Sequence, residues 1–400
     1  MLHETIPDLK HIFFFLFSFI FFYSSAKSQT DTCHLQISLL TCSPGEELYS
    51  TFGHSALRVQ DNSTGLDIIY NYGTFEFNED FYVKFVKGKL RYFVSVEKFE
   101  DFKYQYQYES RSIQEQMLEI TCKEKQQLAL ALQTNAKEEN KYYQYDFLYD
   151  NCSTRLRDIV AKNTNTKVSF NNILPNKIPT FRNLLYYYLD NGAQHWSKFG
   201  IDLLLGSRID RKVTTEQAMF LPDYLLKGFD KATVNKMPLA TPPQTILNMP
   251  SPLKGSSLFQ PKFVFSALLL LFIILSFVPN KKVRKFVEVF DFLFFFFLGL
   301  TGCLMLFMWF GTDHTLTRDN FNLLWALPTH TIAAFFLWKE SKWMNYYLLA
   351  TIISGCFLLV GWVFLPQELN LAVIPIILLI LLRSWLIILK PHYHAHSETI

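Results

Sequence analysis

One histidine and one cysteine of this chain stand in the sequence context expected of a thiol nucleophile and its base. His54 follows Gly53 in a run of alternating residues, and Cys152 follows Asn151 where a helical pattern begins. The first backbone amides of a helix have no partner within it, so they lower the pKa of a thiol placed there. A histidine beside such a thiol can take up its proton, which predicts acyl transfer through a thioester. About a hundred residues separate the pair, so their proximity depends on the fold.

Two different elements must position this pair. Residues 53–59 alternate, with His54 on the face opposite Leu57 and Val59, which predicts a strand. Turn residues divide the surrounding β-rich segments into two predicted antiparallel hairpins, formed by residues 53–59 with 66–77 and by residues 81–86 with 90–96.

Helical periodicity follows the predicted strands. Thr121 and Glu124 form a capping-box pattern that opens a helix, which we expect to end near Asn135. A second predicted helix begins at Asn151 and carries apolar residues at helical spacing. Together these segments predict an α+β domain over residues 29–257.

The composition requires a second module that lies in a membrane. Of the 400 residues, 50% are hydrophobic and 18% are charged, which is too apolar for one soluble domain of this size. Prolines in residues 235–261 predict an extended linker that leads into a membrane domain over residues 262–390. Five spans are predicted there, at residues 263–278, 286–310, 324–338, 344–365 and 369–389. The net charge of +3 excludes the strongly basic surface that nucleic-acid binding requires.

The charges at the ends of these spans predict their orientation. Residues 281–285 and 339–342 are basic, whereas the loops at residues 311–322 and 366–370 are weakly charged. Basic flanks remain on the cytoplasmic side of a membrane. The rule therefore puts the tail at residues 391–400 in the cytoplasm and the amino-terminal domain outside it.

The first 28 residues are predicted to be a signal peptide. Residues 12–22 are apolar but too few for a span of about 20 residues, and Ala26 with Ser28 forms a small-x-small cleavage pattern. The segment before them is poorly basic, so an uncleaved anchor stays an alternative. In either case the domain that follows lies outside the cytoplasm.

Six cysteines divide between the two parts of the chain. Cys303 and Cys356 fall in apolar spans, and the exported part contains Cys33, Cys42, Cys122 and Cys152. Exported cysteines pair readily, so a disulfide is the alternative role for each of them, Cys152 included. For Cys42, which lies two residues before Pro44, we expect a packing or disulfide role. Cys33 and Cys122 lack a histidine-bearing motif.

Several motifs together resemble one protein family. They are SLLTCSPGEELY at residues 38–49, FGHSALRV at 52–59, YNYGTF at 70–75, YDFLYDNCSTR at 145–155, FGIDLLLG at 199–206 and FLPD at 220–223. In these motifs, and in the layout of its apolar spans, the chain resembles the Lnb family of bacterial lipoprotein N-acyltransferases. The order of His54 before Cys152 is also similar to that of circularly permuted papain-like enzymes of the lecithin-retinol acyltransferase type.

The resemblance implies a fold and a role for each matching residue. The fold would be a permuted papain-like (NlpC-like) α+β domain in the periplasm, followed by an all-α transmembrane bundle in the bacterial inner membrane. Cys152 would be the nucleophile, His54 its base, and Asn71 the polar residue that orients the histidine. The alternative for Asn71 is a turn-forming or hydrogen-bonding role. Asp150 and Asn151 are expected to shape the loop and to cap the helix.

The same resemblance implies the substrates. A membrane phospholipid would donate a fatty-acyl chain to Cys152, and the terminal amine of a diacylated lipoprotein would accept it, with no metal or cofactor. His314, Asn320 and Asn322 lie in an outer loop and are expected to bind substrate, with an ordinary interfacial loop as the alternative. Three further residues are expected to form structural salt bridges, namely Asp202, Asp210 and Arg211.

Two other functions fit the same residues. A cysteine-histidine pair on a papain-like fold also hydrolyses amides, so a membrane-anchored peptidase or cell-wall amidase is the first alternative. The second is a non-enzymatic binding module tethered to the membrane, with Cys152 as a disulfide partner. Alkylation of Cys152 under non-reducing conditions distinguishes this second alternative from an enzyme.

Overall fold

The described part of the amino-terminal half contains a seven-stranded antiparallel sheet. The computed structural model describes residues 33–76, 79–251, 259–337, 339 and 341–397, so the predicted signal peptide lies outside the described residues. The strands are β1 (Leu35–Cys42), β2 (His54–Asp61), β3 (Leu66–Thr74), β4 (Arg91–Lys98), β5 (Ile113–Met117), β6 (Tyr142–Gln144), β7 (Thr233–Val234), β8 (Met237–Pro238) and β9 (Gln244–Leu247). β7 pairs with β8, and the other strands lie in the order β6-β4-β3-β2-β1-β5-β9.

Helices cover both faces of this sheet. The helices of this part are α1 (Phe81–Val86), α2 (Phe99–Tyr108), α3 (Cys122–Asn135), α4 (Cys152–Lys162), α5 (Phe181–Asn191), α6 (His195–Leu204), α7 (Thr215–Ala218) and α8 (Pro222–Lys231). The main contacts with the sheet are made by α2, α3, α4 and α8. Leu57 and Val59 of β2 belong to the core formed with α3, α4 and α8. Ala56 packs against α2 on the opposite face. The alternation predicted for β2 is therefore confirmed.

The start of each of the two predicted helices is fixed by a reciprocal cap. The Thr121 hydroxyl accepts from the Glu124 amide, and Glu124 accepts from the Thr121 amide. Asn151 and Thr154 form the same arrangement at the start of α4. Each cap satisfies backbone donors that the helix itself leaves unpaired. Both predicted starts, and the predicted end of α3 at Asn135, are confirmed.

Two segments differ from the prediction. Phe81–Val86 was expected to be a strand but forms helix α1. Its six residues give too short a pattern to separate the two periods, and contacts with residues 313 and 314 hold the segment in place. Gln244–Leu247 was expected to be linker, but it pairs with β5 and extends the sheet. An extended proline-rich segment can do this because an edge strand pairs on one side only.

Apolar helices make up the carboxy-terminal part. They are α9 (Pro261–Ser276), α10 (Lys281–Phe310), α11 (His330–Ala334), α12 (Lys342–Val360) and α13 (Val373–Ser397). Within the described residues, α10 and α12 are long and apolar enough to cross a membrane, and α9 and the first part of α13 are shorter apolar helices. These four helices lie where the first, second, fourth and fifth spans were predicted.

The third predicted span, residues 324–338, does not form the regular helix that was expected. Its described part contains only the five-residue α11, which is roughly 8 Å long. The segment packs directly on the backbone of α10, because a Cβ on Gly299 would lie 2.1 Å from the Thr331 nitrogen and one on Gly302 would lie 2.0 Å from the Ala326 oxygen. Neighbouring protein buries several side chains of this segment, among them His330, which is fully buried.

Buried polar contacts join the two parts, which belong to one compact unit beginning at Leu35. Arg182 of α5 donates to Asp202 of α6 at 2.6 Å and to Asp210 at 2.8 Å. Asn370, which precedes α13, donates to the second Asp202 oxygen at 2.8 Å. The salt-bridge roles expected for Asp202 and Asp210 are confirmed, whereas Arg211 donates to the Tyr149 hydroxyl.

Candidate functional site

Cys152 is the first residue of α4; the residue is partly exposed and its thiol is free. The loop before it is held rigidly by Asn151, which is 3% exposed. The Asn151 side chain accepts from the Thr154 amide and donates to the carbonyls of Phe147 and Phe220, both at 2.8 Å. The expected capping role of Asn151 is confirmed, and Asp150 forms an ion pair with Arg155 at 2.6 Å.

One glycine contacts both the cysteine and the histidine. Gly73 lies at a bulge in β3, with a φ of +95° that side chains other than glycine rarely adopt. A Cβ at this position would lie 3.6 Å from Cβ of Cys152 and 3.9 Å from Cε1 of His54. Gly73 therefore lies against both predicted site residues, which the structure places next to each other.

Asn71 completes the group on the same face of the sheet. Its Oδ1 atom lies 2.6 Å from Nε2 of His54, and its Nδ2 atom donates to Glu97 at 2.9 Å. The bond to Glu97 fixes the amide orientation, so Oδ1 is the atom that accepts from the imidazole. Because Nε2 of His54 donates to Asn71, Nδ1 is the ring nitrogen that can interact with the Cys152 thiol. The three residues predicted to carry the chemistry are thus brought together.

The electrostatics of the pair favour a thiolate and an imidazolium. Burial raises the pKa of the Cys152 thiol, but the charge of His54, and hydrogen bonds from His54 and the Ser55 amide, outweigh it and lower the pKa below its ordinary value. Burial lowers the pKa of His54, but the Cys152 thiolate and the bonds to Cys152 and Asn71 leave that pKa raised. A thiolate in this state is a nucleophile near neutral pH.

These opposite shifts predict a broad pH range for reaction of the thiol. The ion pair exists above the pKa of Cys152 and below the pKa of His54. Because the first pKa is lowered and the second is raised, the pH range of the ion pair widens at both ends. An ordinary thiol has a pKa of about 8.5. We expect iodoacetamide to alkylate Cys152 below that pH, because its pKa is lowered. His54→Ala should move the acidic midpoint upward toward that ordinary value. Peptide mass spectrometry of Cys152 alkylation against pH measures the acidic midpoint in each protein, and the same midpoint in the unmodified protein and in His54→Ala would contradict the ion pair.

The other exported cysteines differ from Cys152. Cys42 is completely buried and free, and burial raises its pKa to about 12. It therefore packs in the core instead of forming a disulfide, which decides between the two roles expected for it. Cys33 and Cys122 are each disulfide-bonded, so neither offers a free thiol.

Sequence reasoning missed several polar groups around the thiol. Glu97, which orients Asn71, is one of them, and no motif marks it in the sequence. Tyr143 is another: burial and then the neighbouring charge of Cys152 raise its pKa, so the hydroxyl stays protonated and able to donate. Tyr145 experiences the same two effects. Both tyrosines stand in the YDFLYDNCSTR region or just before it, which is the signal that would have drawn attention to them.

The residues predicted to bind substrate lie elsewhere, at the contact between the two parts of the chain. Asn320 donates to the Leu203 carbonyl at 2.7 Å, and Asn322 donates to the Asp202 carbonyl at 2.8 Å. These bonds satisfy carbonyls at the end of α6, and both asparagines are almost fully buried. His314 bonds to the carbonyl of Phe85 at 2.9 Å. A direct role of the three residues in substrate binding stays a prediction. Their observed contacts hold the two parts of the chain together.

A cavity of about 340 Å³ lies beside the start of α4 but is separate from the site. Its lining includes Tyr72, Asp150 and Arg155, and neither Cys152 nor His54. Among the described residues, no group of three His, Cys, Asp or Glu side chains is arranged to hold a metal ion.

The fold and the site together define a class: a membrane-associated protein whose sheet-rich domain carries a thiol-imidazole pair. Residues 22–187 match the family model of the Lnb N-terminal periplasmic domain, and residues 254–393 match that of the Lnb transmembrane domain. The chain belongs to the Lnb family of lipoprotein N-acyltransferases, and it is a membrane protein with a periplasmic domain. No curated protein and no solved structure matches it.

Proposed function

We propose that this protein transfers a fatty-acyl chain from a phospholipid, through a thioester on Cys152, to the terminal amine of a diacylated lipoprotein. The observation that carries the proposal is the free Cys152 thiol next to His54, whose Nε2 atom lies 2.6 Å from Oδ1 of Asn71. Membership of the Lnb family supports the reaction class.

The first half-reaction forms the thioester. The Cys152 thiolate attacks the carbonyl carbon of the phospholipid ester, and a carbon–sulfur bond forms as the carbonyl oxygen becomes an oxyanion. The donors proposed to stabilise this charge are the first-turn amides of α4 that the Asn151 cap leaves unpaired and the protonated Tyr143 hydroxyl. The ester carbon–oxygen bond then breaks, and the departing glycerol oxygen takes the proton from the His54 imidazolium. The product that leaves is a lysophospholipid.

The second half-reaction regenerates the enzyme. The neutral amine of the lipoprotein attacks the thioester carbon, and His54, now unprotonated, takes a proton from the amine. A carbon–nitrogen bond forms, the carbon–sulfur bond breaks, and Cys152 leaves as a thiolate beside a protonated His54. The starting ion pair is restored, so the site needs no cofactor to repeat the cycle.

The same proposal includes the arrangement of the chain. The periplasmic domain is a permuted papain-like fold over residues 29–257, a reading supported by a strand-borne His54 that precedes the helix-borne Cys152. Residues 262–390 cross the bacterial inner membrane five times, with the irregular segment at α11 as the third crossing. Anchoring keeps the site at the bilayer surface, where both lipid substrates are concentrated.

A direct test uses the purified full-length protein. Incubated with a phospholipid alone, it should form a hydroxylamine-sensitive acyl adduct that mass spectrometry locates on Cys152. Addition of a diacylated lipopeptide should then discharge the adduct and produce a triacylated lipopeptide. Hydrolysis of the adduct by water without transfer to the amine would instead favour a hydrolase.

A further inference from the structure

Helix α1 exposes an apolar face beside the end of a membrane helix. Tyr82, Val83, Phe85 and Val86 are between 41% and 72% exposed, and they form what we call the α1 face. A soluble protein rarely leaves so many adjacent large apolar side chains in water. Some other apolar surface is therefore expected to cover them.

The position of α1 identifies that surface. His314 bonds to the Phe85 carbonyl at 2.9 Å, and the Asp313 amide donates to the Lys87 carbonyl at 3.0 Å. These two residues lie three and four positions after Phe310, the last residue of α10, which is 75% exposed. The α1 face therefore lies beside the exposed end of a helix long enough to cross a membrane.

The charge of the segment fits the same surface. From Phe81 to Arg91 the chain contains four basic residues and no acidic one. Lys87 and Lys89 are exposed directly after the α1 face. Asp80 precedes α1 and pairs with Lys84, whereas Lys87, Lys89 and Arg91 follow the helix. A short apolar helix followed by basic side chains matches the headgroup region of a bilayer, where phosphates and acyl chains meet.

A row of aromatic side chains leads from α1 toward the thiol. Phe81 lies 5.6 Å from Phe75, Phe75 lies 5.3 Å from Tyr92, and Tyr92 stacks on Tyr145 at 4.1 Å, measured between ring centroids. We call these four residues the aromatic row. Its end is close to the site, because Tyr145 packs against the same core as Cys152, and Phe75 is two residues from Gly73, which contacts Cys152.

The geometry points to α1 as the membrane-inserted contact through which a phospholipid reaches the site, with the aromatic row guiding its acyl chain toward Cys152. This inference rests on the proposed acyl transfer for the identity of the lipid substrate. The contact with the bilayer itself does not depend on turnover, so the two proposals can fail separately.

Photo-crosslinking in the full-length protein tests the contact. Tyr82→p-benzoylphenylalanine, in a Cys152→Ala background and in phospholipid vesicles, should give a peptide adduct with the mass of an intact phospholipid. Tyr104 of α2, which packs on β3 and β4, is the matched control because it is 71% exposed against 72% for Tyr82. The same probe at Tyr104 should give little or no lipid adduct. Equal lipid adducts at both positions, or an adduct with protein at Tyr82, would overturn the inference.

Two further measurements test the path. The probe at Phe75 should also capture phospholipid, and its failure to do so while Tyr82 succeeds would remove the aromatic row from the path. The double variant Tyr82→Ser with Phe85→Ser should raise KM for vesicle phospholipid about tenfold. Its kcat and its rate of Cys152 alkylation should be unchanged, as should KM in the control pair Tyr104→Ser with Tyr108→Ser. An unchanged KM in the first pair would show that α1 does not deliver the lipid.

Discussion

Cys152→Ala is expected to abolish acyl transfer, by about 10⁴-fold or more, because no other group in the site can hold the acyl chain. The thioester requires a free thiol whose pKa is lowered, and Cys152 meets both conditions. The measurement is the rate of triacylated lipopeptide formation by purified protein, with the protein level and thermal unfolding recorded alongside.

Cys42→Ala is the matched control for this loss. Cys42 lies opposite His54 in the β1–β2 pair, but its thiol is buried and its pKa is raised to about 12. Removing it should lower stability slightly and leave the transfer rate within about twofold. Normal transfer by the Cys152→Ala protein would refute the thioester mechanism, whereas the absence of transfer by the unmodified protein would favour the membrane-tethered binding module.

His54→Ala is expected to reduce transfer by about 10² to 10⁴-fold, the usual contribution of a positioned base. Without the imidazolium the Cys152 thiol returns toward its ordinary pKa, so most of it is protonated near neutral pH. The departing glycerol oxygen also loses its proton donor. The loss should shrink as the pH rises, because hydroxide then generates thiolate without assistance.

Asn71→Ala separates a positioning role from a merely structural one. Asn71 contacts His54 and Glu97, and we expect its removal to cost about 10- to 100-fold in rate, as for one hydrogen bond to a charged group. Its distinctive effect is on the pH profile. The acidic midpoint of Cys152 alkylation should rise, but less than in His54→Ala. A rate loss with an unchanged midpoint would assign Asn71 to folding alone.

These variants also separate transfer from hydrolysis. A peptidase or cell-wall amidase with the same pair would lose activity in Cys152→Ala and His54→Ala as well, so those losses alone do not identify the reaction. The acceptor does: an acyltransferase discharges its thioester to the lipopeptide amine, whereas a hydrolase discharges it to water. The double variant in α1 adds a second criterion, since only an enzyme that takes its donor from the bilayer depends on that face.

Much of this architecture could be predicted from the sequence because it depends on local patterns. Alternation in β2 and capping residues at Thr121 and Asn151 determine elements within a few residues of themselves, and each was predicted correctly. Long apolar helices such as α10 and α12 can be predicted from composition alone. The motifs around His54 and Cys152 were sufficient to indicate the Lnb family, which the family models bear out.

The tertiary structure decided what depends on contacts between distant residues. It placed Gly73 in contact with both His54 and Cys152, which lie on different elements. It also gave Asn71 its partner Glu97, because β3 pairs with β4. Phe81–Val86, for which a strand was expected, is a helix that contacts His314, a residue more than two hundred positions away. The tertiary structure also replaced a regular third span by α11, since the glycines of α10 let that segment pack against bare backbone. A local pattern reports the preferences of a segment, and only the packed fold determines which surface that segment meets.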